Sequence, residues 1–269
     1  MAGTAARASV LDGRGRPELL NVAIAGALLV GAAVGWWWSA RMAGDMDSMD
    51  AAGSMTAMDS MGDAIEPISM AAYVGGWVAM IAAMMFPAIS PVVRLYARAA
   101  AKGAVAPLPI FVAGYVVVWA SVGIPAYFAW RELAGPLDDG VAWVGRLAGA
   151  TLLAAAVYQL TPLKNVCLRH CRSPIASFLR FAGSGTKPSA AFRAGATHGA
   201  FCLGCCWALM AVLVAVGTMN LAWMAALTVV IFVEKLAPRG EMLTVVSAAG
   251  FTALGVVLLV DPSTITAIT

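Results

Sequence analysis

Apolar residues run along this chain in long blocks instead of alternating with polar ones at the period of a strand or a surface helix. Seven blocks approach or exceed the ~20 residues that carry an α-helix across ~30 Å of hydrocarbon: 19–40, 68–93, 107–130, 145–160, 194–217, 220–233 and 242–260. The fourth and sixth are short or interrupted. Backbone groups in lipid must be satisfied within their own segment, which selects helices. The predicted fold is therefore all-α, a polytopic transmembrane helix bundle of about seven spans. The blocks divide the chain into a tail over 1–17, a first transmembrane helix over 18–40, a hydrophilic loop over 41–67, a bundle over 68–260 containing a loop over 163–189, and a final tail over 261–269.

Composition supports a lipid environment, since 61% of residues are hydrophobic and 12% charged, against roughly 25% charged in a soluble domain. The charges also orient the chain. Arg7, Arg14 and Arg16 precede the first block, Arg94, Arg98 and Lys102 follow the second, and Lys164, Arg169, Arg172, Arg180 and Lys187 separate the fourth and fifth. By the positive-inside rule these segments are cytoplasmic, so the N-terminus is expected inside and the loops at 41–67 and 131–142 outside. The predicted location is the bacterial plasma (inner) membrane, as a multi-pass protein. A cleaved signal peptide would leave six spans with the same faces, but the long first block and its Trp cluster at 36–38 favour an uncleaved helix.

The 41–67 loop changes the picture from scaffold to chemistry. Met42, Met46, Met49, Met55, Met58 and Met61 are interleaved with five Asp and one Glu, and no basic residue falls between Arg41 and Arg94. Such a segment cannot bury itself and is expected to be flexible. A plain polar tether would explain it, but thioethers are soft ligands that select Cu(I), and carboxylates concentrate cations. These methionines are therefore accessory metal-ligand candidates.

Five cysteines follow, none in a predicted external segment, which argues against structural disulfides. In "LKNVCLRHCR" Cys167 and Cys171 stand one turn apart on a predicted short surface helix, with His170 pointing elsewhere. In "HGAFCLGCCWALM" His198, Cys202, Cys206 and Met210 recur at intervals of four, with Cys205 three after Cys202, so one helix face carries imidazole, thiols and thioether. Thiols pack well in apolar cores, but three within five residues beside a His call for more than packing. Met80, Met84 and Met85 form a similar stripe in the second block, where Pro87 and Pro91 are expected to kink the helix. Glu234 and Lys235, near the inner end of the sixth block, are expected at the interface.

The segments "MIAAMMFPAISP", "YQLTPLKNVCLRHCRSP", "GAFCLGCCWALM", "GTMNLAWM" and "EKLAPRG" resemble the signature blocks of a bacterial family of predicted metal-binding integral membrane proteins, a domain of unknown function. The resemblance covers roughly residues 68–260 and implies membrane location and metal binding through the cysteines, without a substrate or activity.

Three function classes are compatible with these residues. The leading one is a copper-binding membrane protein that moves Cu(I), or delivers it to a copper-dependent membrane enzyme or metallochaperone. A fixed zinc or iron–sulfur site on Cys167, Cys171, Cys202 and Cys205 or Cys206, in a membrane scaffold or accessory subunit, is the second. The third is a thiol–disulfide oxidoreductase using the C-x-x-C of Cys202 and Cys205. No nucleotide-hydrolysis motif is present, so neither an autonomous pump nor, in the leading reading, an enzyme is expected. The predicted partners are the lipid bilayer and the metal ion, with no nucleic acid.

Overall fold

The computed structural model describes residues 22–41, 43–44, 69–103, 105–138, 141–173, 186–216, 220–237 and 240–265. The six accessory methionines, the tail at 1–17 and the stretch 174–185 lie outside the described residues. Those described form eight α-helices and no strand: α1 Val22–Arg41, α2 Met70–Ala101, α3 Leu108–Asp138, α4 Ala142–Gln159, α5 Pro162–Arg172, α6 Pro188–Ala215, α7 Leu221–Leu236 and α8 Gly240–Val260, followed by a 3-10 turn at Pro262–Thr264.

Helix starts follow from local chemistry. Ser69 caps α2 by accepting from the Ala72 amide at 3.2 Å. Thr161 accepts from the Lys164 amide at 3.3 Å to open α5, and Asn220 accepts from Trp223 at 3.0 Å to open α7. Pro162 and Pro188 stand at the first positions of α5 and α6, where a missing N–H removes no bond. Gly103, with φ at +68°, stops α2 by taking the left-handed conformation.

Among the described residues, five helices are long and apolar enough to cross a membrane: α1, α2, α3 over Leu108–Leu133, α6, and α8 over Met242–Val260. Of the other three, α4 with 18 residues and α7 with 16 correspond to the two blocks that were short or interrupted. The second block ends at residue 93 in the hydropathy pattern, yet α2 continues without a break to Ala101, past Pro87, Pro91, Arg94 and Arg98. A charge ends an apolar block without ending a helix, and Arg94 folds back to donate to the Ser90 hydroxyl at 3.0 Å. The outer surface carries bare apolar side chains, such as Val22, Leu29, Val157, Val246 and Val260, that suit lipid and not water.

The closest packing pairs are α3 with α6 and α4 with α8, and both rest on glycine. A Cβ on Gly195 would overlap the Phe111 carbonyl oxygen, and one on Gly114 would overlap that of Phe192. Between α4 and α8, a Cβ on Gly149 would lie 2.8 Å from the Gly255 carbonyl, and one on Gly255 would lie 2.9 Å from that of Gly149. Small residues let helix backbones approach where lipid offers no hydrophobic drive to associate. The α3–α6 contact fixes which side of α6 faces inward, and hence where its thiols go.

Candidate metal centre

The middle of α6 is buried on several sides at once. His198, Cys202, Cys205, Cys206 and Met210 are all at most 2% exposed. Burial alone therefore does not separate a ligand row from core, and the contacts decide.

Cys205 is the hub of the thiols. Its Sγ lies 3.3 Å from Cys206 Sγ and 3.6 Å from Cys171 Sγ, and it donates to the Cys202 carbonyl at 3.1 Å. Cys171 arrives from α5, the short helix expected from "LKNVCLRHCR". Its partner Cys167 rests against Gly204, where a Cβ would come within 2.7 Å of the Cys167 sulfur. The bare backbone at Gly204 thus makes room for Cys167. Hydrogen bonding to Cys202, together with burial, pushes the Cys171 thiol well above its usual range, and burial pushes Cys167 up as well.

Two polar groups from other helices close on Cys202. Tyr115 Oη of α3 lies 3.1 Å from the Cys202 sulfur. Lys235 Nζ of α7 donates to the same sulfur at 3.1 Å and to Met85 Sδ of α2 at 3.5 Å. Met85 is thus the member of the α2 stripe tied to the thiols, while Met80 and Met84 are buried beside it on the same helix. Met210, one turn beyond Cys206, lines an apolar cleft of about 330 Å³ with Trp77, Pro125, Leu133, Leu203 and Trp207.

The His198 ring sits among aromatics, with ring centroids 6.3 Å from Phe111 and 6.1 Å from Tyr115. Neither of its ring nitrogens meets a hydrogen-bond partner among the described residues. His170 stacks flat on Phe201 at 4.3 Å, away from the thiols as expected.

Glu234 and Lys235, expected at the interface, are buried among the helices, 1% and 5% exposed, and reach different partners. Lys164 Nζ donates to Glu234 Oε2 at 2.7 Å, Gln159 Nε2 to Oε1 at 2.9 Å, and Ser247 Oγ to Oε1 at 3.2 Å. The carboxylate is therefore satisfied from α5, α4 and α8 together. The fold draws α5 down over α7, which carries Lys164 into the interior. Sequence reasoning missed Lys235 and Tyr115; a lysine next to a glutamate near the end of an apolar helix was the available signal.

Chemically, the assembled set is soft. Thiols and a thioether suit Cu(I), and carboxylate is kept out of the thiol group by its own network. The thiols touch sulfur to sulfur instead of surrounding a common point, and among the described residues no three His, Cys, Asp or Glu side chains are disposed as a complete metal cage.

A family model described as PpoB2, copper chaperone, matches residues 74–258, well over half of the chain and the whole of the thiol group. No curated protein and no solved structure matches the chain.

Proposed function

We propose, because this chain belongs to the PpoB2 copper chaperone family, that it is a multi-pass protein of the bacterial plasma membrane that holds Cu(I) on sulfur and passes it to a copper-dependent partner. The observation that carries this reading is the meeting of thiols from two helices, with Cys171 of α5 within 3.6 Å of Cys205 of α6. In this reading seven helices cross the bilayer with the N-terminus inside, α4 and α7 being the short ones, and α5 lies at the cytoplasmic face. Copper enters from the outer loop through Met42, Met46, Met49, Met55, Met58 and Met61, passes Met80, Met84, Met85 and Met210, and is held most tightly by Cys202, Cys205 and Cys206. Cys171, with Cys167 behind it, is the hand-off point toward the inner aqueous phase. Thioethers outside and thiols inside give the path its direction, weak to tight.

Metal analysis of the full chain, purified in mild detergent under reducing conditions, tests the proposal. Copper is expected as the bound metal, and deletion of residues 42–63 is expected to lower copper acquisition at limiting copper without removing the tightly held ion, since flexible thioethers lose conformational entropy on binding. Stoichiometric zinc, or the visible absorption of an iron–sulfur cluster, would replace this reading with a structural metal site.

His198 supplies a sharper test. A buried imidazole with neither nitrogen partnered among the described residues, one turn from Cys202, is a donor held in reserve. His198→Gln, which keeps a polar side chain but removes the imidazole, is expected to weaken copper retention roughly tenfold, the lower range for groups that support a metal site. Retention equal to that of the wild type would make the site one of sulfur alone.

A further inference from the structure

Lys235 is a cation already seated among the sulfur atoms. It stands one residue from the end of α7, 5% exposed, and among the described residues both of its acceptors are sulfur: Cys202 Sγ of α6 and Met85 Sδ of α2. The neighbouring carboxylate of Glu234 is occupied by Lys164, Gln159 and Ser247. An amine head is a hard, strongly hydrated group that normally seeks oxygen or water. Here it is buried against two weak, polarisable acceptors, on the two helices whose sulfur atoms the proposed copper path would have to join.

Resting on the copper reading above, we infer that Lys235 is a built-in competitor for the ion, occupying the Cys202–Met85 position when copper is absent and returning to it when copper leaves. Loading is a ligand substitution. The N–H···S bonds to Cys202 and Met85 break, sulfur–copper bonds form at the same two atoms, the amine–thiol pair gives up one proton to solvent, and copper remains Cu(I) with no electron transferred. The competitor has two effects. It admits only an ion that gains more from sulfur than the amine does, which a soft ion does and a hard one does not. It also lowers the barrier to release, because the sulfur atoms vacated by copper are immediately engaged again. A carrier must give up its cargo, and this device separates a carrier from a store.

The test uses the full chain in detergent, loaded with Cu(I) under reductant and challenged with a soluble Cu(I) chelator. Lys235→Met and Lys235→Gln are expected to hold copper at least about tenfold more tightly and to release it more slowly than the wild type, as removal of a competing charge-assisted hydrogen bond predicts. In the wild-type protein, which needs no substitution to fold, the NMR signal of the Lys235 side-chain amine is expected to move on loading with Cu(I). Wild-type protein that binds no copper overturns the functional reading itself. If the wild type binds copper, then unchanged or weaker binding in the two variants overturns the competitor role alone. An amine signal that stays fixed on loading overturns it too, whether or not the variants fold.

Discussion

Replacing Cys202 and Cys206 together by Ser is expected to strip the purified protein of its tightly held copper while leaving the helical bundle intact. The two sulfur atoms lie in an enclosed part of α6, and the Cys202 sulfur is approached by both an amine and a phenol. Serine keeps the approximate size and can still accept from Lys235 and pair with Tyr115, so the packing has no reason to collapse. Its oxygen is hard and poorly ionised, and Cu(I) gains little from it. Because loss of a mere supporting group costs a metal site ~10–100-fold, loss of two ligands is expected to exceed the upper figure. Elemental analysis beside circular dichroism separates metal loss from unfolding. Replacing Cys167 and Cys171 instead is expected to lower retention less, as befits an exit point. Full copper content in the Cys202/Cys206 variant would reduce these thiols to packing residues.

The largest effect on assembly is expected from Gly195→Val. The atom a Cβ would strike is the Phe111 carbonyl oxygen, part of the α3 backbone, so no rotamer change can relieve the overlap. Overpacking in ordinary cores costs about 1–3 kcal/mol when side chains can shift. Here the two helices must separate, and a loss beyond that range is expected, seen as failure to recover monodisperse protein. Gly250→Ala is the control, because a Cβ at Gly250 meets nothing within 4 Å. Equal yield and equal thermal midpoint for the two variants would show that α3 and α6 do not depend on this close approach.

Much of this architecture could be read from block lengths and punctuation. Long apolar runs announced α1, α2, α3, α6 and α8, and the Cys-bearing segment "LKNVCLRHCR" announced α5 almost to the residue. The Cys spacing on α6 correctly drew attention to residues that meet in space. What could not be read was everything set by one helix packing on another. Nothing local says that Lys164, in a segment counted as inner positive charge, is fully buried against Glu234 seventy positions later. Nor does the adjacent pair Glu234–Lys235 reveal that its members serve two separate networks. Periodicity placed His198 on the thiol stripe, whereas its surroundings are the rings of α3. A helical wheel describes one cylinder, and the site is made where five of them touch.

The ion pair between Lys164 and Glu234 has a kinetic consequence for α5. This helix carries Cys171 over the thiols, so lifting it away would expose them, but lifting also pulls Lys164 out and leaves Glu234 charged and buried. Breaking such a pair costs roughly 3–5 kcal/mol. The lifted form then amounts to fewer than about one molecule in a hundred at any instant. A lid so seldom raised does not leak. In the copper reading proposed above, an ion held beneath it would stay out of reach of small competing thiols in the surrounding solution.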